Sequence, residues 1–140
     1  MIIAIVDGQG GGIGKSLIEK IKASITWEYE IIALGTNTTA TSVMLRAGAD
    51  YGASGENAII YNAPRVNVII GALGIVSANS FHGEFSPKMA GAIGESDIIK
   101  ILIPSNRCNL YVAGAKDTLL AEYIDDAVAL LDSLYKAKEI

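Results

Sequence analysis

With 140 residues, 51% of them hydrophobic and 19% charged, the chain suits one domain with a sizeable core and is too apolar for a disordered segment. A net charge of −4 argues against a nucleic-acid surface, which needs Lys and Arg to neutralise phosphates, although a small anion needs only a few donors. The single cysteine, Cys108, allows no internal disulfide and points to a cytoplasmic protein, while every apolar run breaks before membrane-spanning length and no targeting leader is expected.

Ile2–Val6 is continuous and branched, the pattern of a strand buried on both faces. It runs into Asp7-Gly8-Gln9-Gly10-Gly11-Gly12-Ile13-Gly14-Lys15-Ser16, which carries five glycines in seven positions. A helix follows from about Ile13 to Ala23, with Ile13, Leu17 and Ile21 as its buried stripe. Glycines remove Cβ atoms from a turn, so backbone N–H groups can approach an anion, and the next helix adds its positive end. The ordinary alternative is a tight strand–helix turn, for which one or two glycines suffice.

Glu30–Leu34 reads as a second strand ending in the polar loop Gly35-Thr36-Asn37-Thr38. Thr39 or Thr41 is expected to cap a short helix that Gly48 stops. Trp27 and Tyr29, just before that strand, read as packing or interface residues. Asp50 to Gly55 reads as a turn or very short strand, followed by a helix through Glu56–Tyr61 that Pro64 ends. Val66–Ile70 is another buried strand, leading to Gly71-Ala72-Leu73-Gly74.

The apolar residues of 75–85 fit neither period, which reads as a strand or an irregular loop carrying His82 and Glu84. Ser86-Pro87, a cap followed by proline at the first helical position, opens a helix to about Ile93. Ile98–Ile103 is a fifth buried segment, closed by Pro104. After the polar loop 105–109 come a short strand, Leu110–Ala113, and a last helix over roughly Leu119–Lys136 with Leu120, Ile124, Val128 and Leu131 on one face.

Strands alternating with helices imply an α/β fold, a three-layer Rossmann-like sandwich with a mainly parallel sheet in a single domain over residues 1–140. Ligands of such sheets sit beyond the strand carboxyl ends, so Asp7–Ser16, Gly35–Thr38, Gly71–Gly74 and Ser105–Cys108 are expected to converge. The cofactor-binding candidates are therefore Asp7, Gly8, Gly10, Gly11, Gly12, Ile13, Gly14, Lys15 and Ser16, with Gly35, Thr36, Asn37, Gly71 and Gly74. Asp7 has three readings: it accepts from a ligand hydroxyl, holds a metal through water, or bonds the loop's own amides, and beside a phosphate its charge is repulsive unless it is protonated or bridged by a metal.

Arg107 offers a fork for a phosphate or carboxylate, Cys108 a thiol that Arg107 would activate, and His82 an acid–base group. These three are the catalytic candidates. Surface solvation, burial beside a strand and loop packing are their ordinary readings. No residue set has metal-ligand spacing. The low charge content leaves much surface to cover, and a homo-oligomer would cover it.

Three resemblances bear on the opening. Gly11–Ser16 resembles the K-G-G-x-G-K-S/T loop of deviant, MinD-like ATPases, with Gly10 at the signature lysine, and implies ATP with magnesium. A magnesium NTPase also wants an aspartate ending another buried strand, and none is present. Asp7–Gly14 resembles the T-G-x-x-x-G-I-G opening of short-chain dehydrogenases, with Asp7 replacing threonine. This resemblance implies that Gly8, Gly12 and Gly14 face the pyrophosphate of NAD or NADP. That family's Tyr-x-x-x-Lys pair is missing, and no acidic residue stands after the second strand to hold a ribose, where Thr36 or Asn37 would substitute weakly.

Over nearly its full length the chain resembles a family of short bacterial proteins of unknown function. The likeness is carried by Asp7–Lys15, Ala33–Asn37, Ala47–Asp50, Gly55–Ile59 and Arg107–Asn109, and it implies that these residues form the family's common site. The expected function is binding of a nucleotide or dinucleotide through the glycine loop, with no reaction assigned. P-loop-like ATP binding or phosphotransfer, and a noncatalytic ligand-responsive assembly protein, are the alternatives.

Overall fold

The computed structural model describes residues 1–104 and 109–140. Its first half alternates β1 (Ile2–Asp7), α1 (Gly12–Ser24), β2 (Glu30–Gly35), α2 (Thr38–Arg46), β3 (Tyr51–Ser54) and α3 (Glu56–Asn62). The second half comprises β4 (Val68–Ala72), a 3-10 turn (Leu73–Val76), α4 (Pro87–Glu95), β5 (Ile99–Ile103) and α5 (Leu120–Lys136). All strands are parallel in the order β3-β2-β1-β4-β5.

The chain steps outward from β1 to β3, then crosses back to start again on the other side of β1. Right-handed crossovers therefore place α1 and α2 on one face and α3 and α4 on the other. α5 returns to lie against α1. Ile3, Ile5 and Ile70 pack under Leu17, Ile21 and Leu131 on the first face, while Ala4, Val6 and Ile69 meet Ile59, Phe85 and Ile93 on the second. Double coverage explains why β1 and β4 read as unbroken apolar runs. Between these two strands lies the point where the winding reverses, and the crevice at their carboxyl ends is where such sheets take ligands. The expected three-layer α/β architecture is the one observed.

Local differences have local causes. Asn37, not Thr39 or Thr41, caps α2: its side chain accepts from the amide of Ala40 at 2.8 Å, while the Thr41 hydroxyl donates to the Asn37 carbonyl at 3.1 Å. Residues 50–55 hold the very short strand, one of their two expected forms: β3 pairs with β2 at the sheet edge. Leu110–Ala113 is not a strand. It runs outside the sheet with Tyr111 and Val112 exposed, because this short apolar run finds no ladder partner among the described residues.

The aperiodic stretch after β4 is the 3-10 turn followed by a tight loop closed by an antiparallel bridge between Ser80 and Phe85. In it Asn79, Phe81, His82 and Gly83 all have positive φ, at 61°, 54°, 57° and 84°. At the opposite end of the sheet Trp27 stacks on Tyr135 with ring centroids 4.0 Å apart and bonds Asp132 at 3.0 Å. No helix among the described residues is long and apolar enough to cross a membrane.

Candidate functional site

Strand register brings the polar loops to one edge. Asp7 stands opposite Gly35, Val6 opposite Gly71, and Gly35 opposite Ser54. The Thr36 amide donates to the Asp7 carbonyl at 3.0 Å, and the Asn37 side-chain amide donates to the Gln9 carbonyl at 3.0 Å. The β1–α1 turn and the β2–α2 turn are thus tied into one surface.

Two carboxylates are built into that surface. Asp7 is buried, and its oxygens accept from the amides of Gly8 at 2.8 Å and Gly14 at 2.7 Å. It sits as a resident carboxyl group at the first turn of α1. Burial raises its pKa above the ordinary 3.8; the amides of Gly14, Gly8 and Ile13 pull it down, and the charge of Glu84 adds to the rise.

Glu84, from the loop after β4, is the second. Its Oε1 accepts from the Gln9 amide at 2.6 Å, from the Asn37 side chain at 3.0 Å and from the Thr36 hydroxyl. Desolvation pushes its pKa up, but the hydrogen bonds from Thr36, Gln9 and Asn37 outweigh it and hold the carboxyl below the ordinary 4.5.

The glycines of the opening turn divide into two groups. Gly11 has φ +74°, and a Cβ there would meet the Ala40 backbone at 2.9 Å. A Cβ on Gly8 would lie 2.6 Å from Oε1 of Glu84, and one on Gly14 would strike Met44 and come within 3.1 Å of Asp7. The backbone requires glycine at 11 and the buried Met44 at 14, whereas at 8 it is the Glu84 and Thr36 side chains that take the space. Gly10 and Gly12 differ: both are exposed, neither has positive φ, and an added Cβ would meet nothing within 4 Å. Their amides have no protein acceptor among the described residues.

The remaining candidates are placed as follows. Ile13 is half-buried against the α1 face of the core, and Ser16 bonds the Gly12 carbonyl at 3.1 Å. Lys15 is exposed, its ammonium 3.8 Å from Glu19 one turn on. Gly35 and Gly71 are close-approach positions, a Cβ meeting the Thr41 amide at 2.7 Å or the Val6 carbonyl at 2.6 Å. Gly74 is buried, its carbonyl accepting from the Ser80 hydroxyl at 2.6 Å. His82 is exposed on the loop that carries Glu84. Arg107 and Cys108 lie outside the described residues.

Glu84 is the residue that sequence reasoning passed over as a site group. The available signal was an acidic residue in an aperiodic stretch following a buried strand. The described residues contain no group of three or more His, Cys, Asp or Glu side chains placed to hold a metal ion. A groove of ≈ 680 Å³ lies elsewhere, between β5 and α5, lined in part by Ile101, Ile103, Pro104, Lys116 and Leu130.

Asp7 gives a pH prediction. Because its folded pKa is raised, its favourable linkage is complete below about 3.8 and is lost as pH climbs through the folded value. Urea denaturation of the wild type and Asp7→Asn from about pH 3 to 8 should show the wild type's relative stability falling with rising pH. A difference that is constant with pH would mean Asp7 titrates as in the unfolded chain.

Among solved structures, a dodecameric FMN-dependent Ubix-like decarboxylase from Escherichia coli O157:H7 is similar at 13% identity and a TM-score of 0.47, over 94% of this chain and 77% of that one. No curated protein matches in sequence. The domain of unknown function DUF3842 matches residues 2–136, and the chain belongs to that family.

Proposed function

We propose that the chain binds a nucleotide or dinucleotide at the carboxyl edge of its sheet, with a phosphate resting on the amides of Gly10 and Gly12 at the start of α1. The observation that supports this is the pair of glycines that neither φ nor packing accounts for. Glycine at such positions forgoes about 0.4–1 kcal/mol relative to alanine through the entropy of the unfolded chain. A ligand lying against the backbone gives a reason to omit the Cβ. The positive end of the 13-residue helix α1 adds attraction for a phosphate.

The NAD or NADP form of this reading rests on the likeness of the opening turn to the short-chain dehydrogenase loop; of Gly8, Gly12 and Gly14, Gly12 alone has an amide without an acceptor among the described residues. ATP with magnesium is less well supported, since Lys15 lies beside Glu19 on the exposed face of α1. No reaction is assigned. Exposed Tyr111, Val112, Leu119, Leu120 and Leu130 favour a homo-oligomer, which light scattering would test.

Calorimetric titration with NAD, NADH, ADP and ATP, with and without magnesium, tests the assignment. Saturable binding of an adenine nucleotide, one per chain, is expected. A folded protein that binds none of them overturns it.

A further inference from the structure

We propose that Glu84 is the acceptor for the ribose hydroxyls of the bound nucleotide and that it restricts the site to ligands with an unsubstituted 2′-hydroxyl. The inference rests on the nucleotide reading above and adds the sugar chemistry to it. A ligand whose phosphate lies on the β1–α1 turn extends its sugar toward the carboxyl end of β2. Residues 35–38, which follow that strand, include no acid. Glu84 reaches the same place from the other half of the chain, bonding Thr36 and Asn37 at the end of β2 and Gln9 in the glycine turn.

All three of those donors fall on Oε1, and Oε2 accepts from none of the described residues. The carboxylate is therefore fixed in position with one oxygen left for a donor. A sugar hydroxyl can supply the proton, whereas a 2′-phosphate would bring like charge against it. Hydrogen bonds to charged groups are the strong ones, so one such contact discriminates well.

The surroundings show that this carboxylate is built in. Gly8 leaves the space that Oε1 occupies, since a Cβ there would approach it to 2.6 Å. On the other side the carrying loop is clamped by buried Phe85, by the Ser80–Phe85 bridge and by the Ser80 hydroxyl on the Gly74 carbonyl. Within the clamp Phe81 and His82 hold left-handed backbone angles of 54° and 57°, which non-glycine residues adopt at a cost. A loop that needed only to connect β4 to α4 has no use for that geometry. Delivering residue 84 to the β2 terminus does.

Equilibrium binding of NAD, NADP, ADP and 2′-deoxy-ADP to the wild type and to Glu84→Gln tests the inference. The wild type should favour NAD over NADP, and ADP over its deoxy analogue, by about 10-fold or more in each case. Glu84→Gln should shrink both preferences to within about threefold, chiefly by binding NADP better and ADP less well. Equal wild-type affinity for NAD and NADP, or an unchanged preference in Glu84→Gln, overturns the role of Glu84 while leaving the nucleotide site intact. Binding of none of the four removes the nucleotide reading and this inference together. The wild-type comparison stands even if the variant fails to fold.

Discussion

Phe85→Ala should lower the unfolding free energy by about 3–5 kcal/mol, the usual cost of emptying a fully buried aromatic site. Phe85 is the largest completely buried side chain among the described residues, packed among the Ile75, Met89 and Ile93 group and edge-on to Phe81 at 6.0 Å between ring centroids. For a domain whose whole stability is of order 5–15 kcal/mol, that loss is large. It should also loosen the clamp on the neighbouring Glu84, so ligand discrimination should weaken even under conditions where the variant remains folded. Phe85→Leu keeps most of the apolar volume and should cost less than half as much. Urea denaturation measures both variants; a loss under about 1 kcal/mol for Phe85→Ala would show that the site collapses without penalty.

Gly10→Ala and Gly12→Ala should separate stability from binding. Neither position has positive φ or a neighbour within 4 Å of an added Cβ, so folding stability should hold or rise by about 0.4–1 kcal/mol. Gly12 opens α1, where alanine also has the higher helix propensity. Nucleotide affinity should fall by about 10- to 100-fold in each variant, because the methyl group stands where the phosphate meets the amide. Gly14→Ala is the control: its Cβ would strike Met44 and press on Asp7, so stability should fall along with binding. Undiminished affinity in both Gly10→Ala and Gly12→Ala would place the phosphate elsewhere.

Much of the architecture was legible because it is local. Ile2–Val6 and the apolar stripe of α1 follow from composition and period, and Ser86-Pro87 marks the start of α4 by cap chemistry alone. The site was legible only in part. Glycine is the same letter at residues 8, 10, 11, 12 and 14, yet one answers to φ, two to neighbours from distant segments, and two to nothing in the protein itself.

Glu84 could not be paired from sequence, because its partners Asn37, Thr36 and Gln9 lie 47, 48 and 75 positions away. The missing acid at the end of β2 was a fact about neighbouring residues, not about space. Similarly, Leu110–Ala113 is apolar and rich in strand-forming residues, but composition cannot show whether a ladder partner exists. The sheet ends at β5, and that segment stays outside it.

The most direct test of where the phosphate lies is an amide-resolved NMR titration of glycine-labelled protein with NAD or ADP. The resonances of Gly10 and Gly12 should move the most and in saturable fashion, while Gly11 and Gly14, whose amides already bond Gly8 and Asp7, shift less. A nucleotide that binds and leaves Gly10 and Gly12 unmoved would contradict the account.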